Sequence, residues 1–377
     1  MDNNIYSGQS AQGVGQASQI MQSQAAGQMP QPEQMTNMPS IPKPPKKDKK
    51  TIIALIVILA MIIGLTAALV ILIQSKNTTN DDRDTQTTSS NVDTSGTKAT
   101  SSDIQLGSYE KNVEISAGGN YSVTGTFAHA IVITTNQNVK LTLNNVSINN
   151  TESAAIMNLA GAKLEIVLAD GTTNTLTDGG ASDYDGCIYS TGALVFSGNG
   201  SLNLTGQQRE GEGIATENNT LTINSGNFVI NAADDGLNAG GDSGGTITIN
   251  GGTLNIHAGG DAIDSNSDAV INGGDIYAVA GTAGEGSAID TENGYFINGG
   301  KVVALGASLM DGGTPDEDSK QGFVAKNLGQ TVAAGTAVRV VDANGGSVLE
   351  FTADASFRTA IVSAPGMSAG ANYSLSY

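Results

Sequence analysis

The feature that most constrains this chain is a motif that returns at a nearly fixed interval: an apolar residue, then Asn or Ser, then a glycine turn. It reads Phe196-Ser-Gly-Asn-Gly200, Ile223-Asn-Ser-Gly226, Ile249-Asn-Gly-Gly252, Ile271-Asn-Gly-Gly274 and Ile297-Asn-Gly-Gly300, with anchors 27, 26, 22 and 26 residues apart. Each turn leads into an alternating stretch: Leu202 and Leu204, Phe228 and Ile230, Leu254 and Ile256, Ile276 and Ala278, Val302 and Ala304. Apolar residues at every second position mark a strand with one buried face. A third block completes a unit of three short strands: Asp185-Gly-Cys187, Glu212-Gly-Ile214, Asp235-Gly-Leu237, Asp261-Ala-Ile263, Ser287-Ala-Ile289 and, as a sixth, Gln321-Gly-Phe323.

A period of about 25 residues with Gly and Asn at the corners predicts an all-β solenoid. Leucine-rich repeats share the period but need a Leu-x-x-Leu-x-Leu frame, and a propeller blade needs four strands over about 40 residues. Stacked coils put equivalent residues about 4.8 Å apart, so inward Ile, Leu, Val and Phe form one aliphatic column. That column accounts for a fold without Trp and with 4% aromatic residues. Less regular coils are expected from Ile115 through Ile131-Val-Ile133, Leu141-Thr-Leu143 and Leu164-Glu-Ile166. After Leu328 the glycine pairs stop, and Val338–Val341, Val348–Phe351 and Ile361-Val362 predict a closing cap. The expected division is a parallel β-helix over 103–330 and a C-terminal β cap over 331–377.

The N-terminal quarter has a different character. Residues 1–50 lack hydrophobic periodicity and predict a disordered tail. From Ile52 to Ile73 run 22 residues without a charge, enough for a transmembrane helix, expected over 51–74. Lys43, Lys46, Lys47, Lys49 and Lys50 precede it, against Lys76 and Arg83 beyond it. The positive-inside bias then predicts a single-pass cell-membrane protein with a cytoplasmic N-terminus and an extracellular C-terminal domain. Residues 75–102, mostly Ser, Thr, Asn and Asp, read as a flexible extracellular stalk.

From residue 103 onward there are 29 Asp and Glu against 9 Lys and Arg, a balance of −20. Such a surface repels phosphate backbones, which argues against a nucleic-acid partner and favours metal cations. The single cysteine, Cys187, has no internal partner and is expected in the core.

The acids are patterned. Asp185, Glu212, Asp235 and Asp261 each stand two residues before an inward anchor, so stacking predicts a file of carboxylates about 4.8 Å apart. Like charges opposite one another destabilise a sheet unless something neutralises them. Asp183, Glu210 and Asp234 lie beside them, and Asp264 and Asp290 follow two of the anchors. Hard carboxylate oxygens gathered from adjacent coils, with Asn238 nearby, are donors of the kind Ca2+ takes. All nine acids are therefore candidate calcium ligands, and Tyr184 and Tyr189 are candidate ligand-binding aromatics beside them.

The Asp235-Gly-Leu corners alternating with Ile249-Asn-Gly-Gly252 turns resemble the bacterial carbohydrate-binding β-helix family related in fold to pectate lyases. The resemblance runs over about residues 103–377 and includes the terminal Phe357-Arg-Thr-Ala-Ile-Val-Ser-Ala-Pro365 and Tyr373. It implies a right-handed parallel β-helix, acidic calcium sites, and binding of an acidic plant polysaccharide such as polygalacturonate, or of cellulose. An acidic protein holds an acidic sugar only through bridging cations.

Non-catalytic, calcium-dependent polysaccharide binding is the favoured function. A pectate-lyase-like enzyme needs calcium and a base, for which this acidic face offers Arg209. Asp234-Asp235-Gly also resembles the paired aspartates of polygalacturonases, but the His-centred glycine motif and the basic substrate motif of that family are missing. His129 and His257 stand outside any such context and read as incidental. A purely structural or adhesive rod is the remaining alternative.

Overall fold

The computed structural model describes residues 92–377, apart from 180–183, 208–210, 283–285 and 311–312. Those residues form a parallel β-solenoid. One face is a nine-stranded parallel sheet running from Gly96–Lys98 through Asn112–Ile115, Ile131–Ile133, Ile156–Asn158, Gly186–Ser190, Glu212–Glu217, Leu237–Gly240 and Ile263–Ser265 to Asp290–Thr291. The other two faces join, together with two antiparallel strands of the C-terminal cap, into one 17-stranded sheet, because long strands turn the corner between them. Val139–Asn149 pairs with Leu164–Leu168 through its first half and with Thr173–Thr177 through its second. Asn145, at φ 55°, lies between the two pairings.

The repeat stacks in register. Phe196, Ile223, Ile249, Ile271 and Ile297 stand opposite one another in turn, as do Leu204, Ile230, Ile256, Ala278 and Ala304. Ile188, Ile214, Leu237 and Ile263 form the third inward file. All of these are at most 1% exposed. Burying a side chain of this size is worth about 1.5–3 kcal/mol, so the continuous column holds the coils together without a disulfide. Phe196 and Phe228 meet edge to face with centroids 5.5 Å apart. Cys187 is buried in the same core as a free thiol, as expected.

The Ile-Asn-Gly-Gly turn has two physical reasons. Its second glycine takes a positive φ (99° at Gly252, 106° at Gly274, 90° at Gly300), which a side chain would strain. Its asparagines form an amide ladder: Asn250 Nδ2 donates to Asn224 Oδ1 (2.9 Å), Asn272 to Asn250 (2.9 Å) and Asn298 to Asn272 (3.0 Å).

Both ends differ from expectation. Gly96–Lys98, within the span read as stalk, pairs with Asn112–Ile115, so the solenoid begins before residue 103. Gln321-Gly-Phe323 is not a sixth corner. It opens Gln321–Val332, which pairs antiparallel with Phe357–Ser368, itself antiparallel to the last coil strand Lys301–Gly306. A three-stranded antiparallel sheet, Ala337–Asp342, Ser347–Thr352 and Tyr373–Ser376, completes the cap. Val303 and Leu305 point out of the solenoid and are buried against Val332, Val340, Phe357 and Val362. His257 is not incidental: it and Tyr277 grip Asp354 of the cap, at 3.1 Å and 2.7 Å.

The membrane localisation is corrected. Among the described residues no helix is long and apolar enough to cross a membrane, and the one helical element there is the three-residue turn Leu106–Ser108. The cytoplasmic and extracellular assignments rested on a spanning helix, and none is present among the described residues. The segments read as tail and span, 1–50 and 51–74, lie outside the described residues.

Candidate functional site

The first sheet ends in carboxylates because its register makes them neighbours. On its outward face Tyr189 stands opposite Ala215, Ala215 opposite Asn238, Asn238 opposite Asp264, and Asp264 opposite Asp290. Along the adjoining corner, Asp235 Oδ1 accepts from the Asp261 N–H (2.7 Å) and Asp261 Oδ1 from the Ser287 N–H (2.6 Å). Each coil's acid therefore clasps the backbone of the next. Asn238 ties the two files together, donating to Asp235 Oδ2 and Asp264 Oδ2, each at 3.0 Å.

The result is that Asp261, Asp264 and Asp290 each present an oxygen within 4.8 Å of the others. Two oxygens bound at about 2.3–2.6 Å to one Ca2+ are at most about 5 Å apart, so hard donors at this spacing fit such an ion. Among the described residues no salt bridge reaches the three.

Electrostatics follow from crowding and burial. Burial, then the charges of Asp235, Asp261 and Asp290, pushes Asp264 up to about 8. Burial likewise raises Asp261 to about 7, against the lowering effect of the Ser287 hydrogen bond. Asp290 is raised, again chiefly by burial. The cluster thus holds protons near neutrality, which a divalent cation would have to displace.

Glu212 is a separate anomaly. It is 8% exposed, its Oε2 is buried without a hydrogen-bond partner, and burial followed by the Asp185 charge raises its carboxyl well above the usual range. An unpartnered buried polar atom is costly.

The expected file of four corner acids is one residue out of step. Gly186, not Asp185, stands opposite Glu212, because Ile188 rather than Cys187 aligns with Ile214. Asp185 still contributes to the field at Glu212 and Tyr189. Asp234 and Asp235 pack so closely on the next coil that a Cβ on Gly260 would strike both carboxylates. Asp183, Glu210 and Arg209 lie outside the described residues.

Tyr184 and Tyr189 do meet, with centroids 5.3 Å apart and rings inclined at 54°. Burial, then the charge of Glu217, pushes the Tyr189 hydroxyl up. Both rings pack on a small apolar cluster, Ala130, Val132, Ala154 and Met157, that is buried although it belongs to the outer face. Sequence reasoning missed this floor. Its signal was the unbroken apolar runs Ile131-Val-Ile133 and Ala154-Ala-Ile-Met157, too apolar for strands with one wet face.

Fold and site together define a parallel β-solenoid with an acidic, aromatic-flanked outer face. The chain belongs to the carbohydrate-binding domain-containing protein family, whose sequence model matches residues 109–355. It is 35% identical over 129 residues to a carbohydrate-binding domain-containing protein of Acetivibrio thermocellus, covering 31% of this chain and 44% of that protein. The chain thus spans less than half the length of that relative. It is also similar to a solved structure, a polysaccharide lyase-like protein from C. thermocellum in a gadolinium derivative. That likeness has 29% identity over 49% of this chain and 87% of the other, with a TM-score of 0.39.

Proposed function

We propose that the solenoid is a non-catalytic module that binds polysaccharide with the help of Ca2+, and that acidic glycan such as polygalacturonate is its preferred ligand. Membership of a carbohydrate-binding family supports polysaccharide as the ligand class. The calcium part is supported by one observation above all: three carboxylates from adjacent coils, within 4.8 Å of one another and joined by no salt bridge among the described residues. Asp261, Asp264 and Asp290 would hold the ion, with Asp235 and Asn238 fixing their positions. Asp185, Glu212 and Asp234 would extend the acidic surface toward Tyr184 and Tyr189. A bound calcium supplies positive charge and coordination positions for sugar oxygens, which an acidic face otherwise lacks.

Calorimetric titration of the chain with polygalacturonate, with calcium and then with a chelator, tests this. Saturable binding that vanishes on chelation and in Asp264→Asn is expected. Undiminished binding in chelator overturns the calcium role, and release of unsaturated product overturns the non-catalytic one.

A further inference from the structure

The register that gathers the carboxylates also gives the site a direction. From Tyr189 to Asp264 is three coils, about 14 Å at the usual strand spacing. Along that line the surface changes in a fixed order. First comes a ring seated on buried Met157, then the methyl of Ala215, 4% exposed, then the Asn238 amide, then the carboxylates of Asp264 and Asp290. A ligand running along a single strand meets only one of these surfaces. A ligand lying along the solenoid axis passes over buried Ala215 and spans the ring, the amide and the carboxylates in turn.

A sugar is itself two-sided, with a C–H face suited to an aromatic ring and polar edges suited to amides and cations. Glu212, on the same strand as Ala215, adds an independent pointer with its buried, unpartnered Oε2 beside the middle of this track.

We infer that the ligand is a linear acidic glycan lying parallel to the solenoid axis, one sugar stacked on Tyr189 and an acidic group further along the chain at the Asp264–Asp290 end. This rests on the polysaccharide-binding function proposed above. It adds an orientation, a minimum ligand length of about 14 Å, and a specificity-determining residue, Tyr189.

The test is calorimetry of the full chain, in calcium, against oligogalacturonides of graded length. Wild-type affinity is expected to step upward once the oligomer is long enough to bridge the two ends. Tyr189→Ala is expected to remove that step, weakening the long oligomers about threefold to tenfold, while Tyr189→Phe, which keeps the ring, retains it. A step that survives Tyr189→Ala, or wild-type binding that is independent of length, overturns the axial arrangement and leaves polysaccharide binding standing. Failure of every oligomer to bind the wild type overturns both.

Discussion

Two parts of the solenoid surface use the same stacking to opposite ends. On the 17-stranded sheet, register puts Lys301 opposite Asp275 and Lys140 opposite Glu165, and the pairs close at 2.8 Å and 3.0 Å. At the end of the nine-stranded sheet, register puts Asp264 opposite Asp290, with Asp261 alongside. The fold can therefore supply a lysine across a rung where neutralisation within the chain suffices. Where it sets carboxylate against carboxylate, no salt bridge among the described residues balances the charge.

The sharpest way to break that contrast is to convert one place into the other. Asp264→Lys, facing Asp290, is expected to weaken calcium binding by at least about a hundredfold, read by titration. It should also raise the apo protein's unfolding midpoint at pH 8. An unchanged calcium isotherm would remove the distinction between the two surfaces.

pH sharpens it further. Asp264 and Asp261, at about 8 and about 7, are raised above their unfolded value of about 3.9. The folded state then binds the extra protons. The stability they lend is full below the unfolded value and is lost as pH rises through 7 to 8. The apo unfolding midpoint should fall between pH 5 and pH 9, calcium should restore it at the upper end, and calcium binding near pH 6 should release protons into the buffer. A calcium-free midpoint that climbs over this range in wild type but not in Asp264→Asn contradicts the assignment.

Glu212→Gln gives a smaller effect of the same sign. It should raise apo stability more at pH 8 than at pH 5, because burial and the Asp185 charge disfavour the ionised form of the native carboxyl. Denaturant melts at the two values check this. Smallest of all, Lys301→Ala should cost about 0.2–1 kcal/mol, because its ion pair is solvent-exposed, with no change in calcium response.

Much of this architecture was legible in the residues, for reasons visible in particular places. Inward positions such as Ile249, Ile271 and Ile297 were readable because alternation and period agree at every turn. Asp261, Asp264 and Asp290 were legible only as three of nine candidate acids, and it is the strand register that gathers them into one group. The slip at Asp185 was not legible, because Cys187 and Ile188 are both apolar and both buried in the core, and only the pairing across the rung shows that Ile188 is the one aligned with Ile214. Gln321-Gly-Phe323 imitates a corner in composition, and only its antiparallel partner Phe357–Ser368 reveals a cap strand. The clasp of His257 and Tyr277 on Asp354 joins residues 97 and 77 positions apart, which no local pattern announces.

The most direct measurement is a crystal of the chain grown with calcium, with anomalous scattering used to locate the ion. A peak is expected among Asp261, Asp264 and Asp290, absent from Asp264→Asn. Calcium bound only elsewhere, or none bound while polygalacturonate still binds, would contradict it.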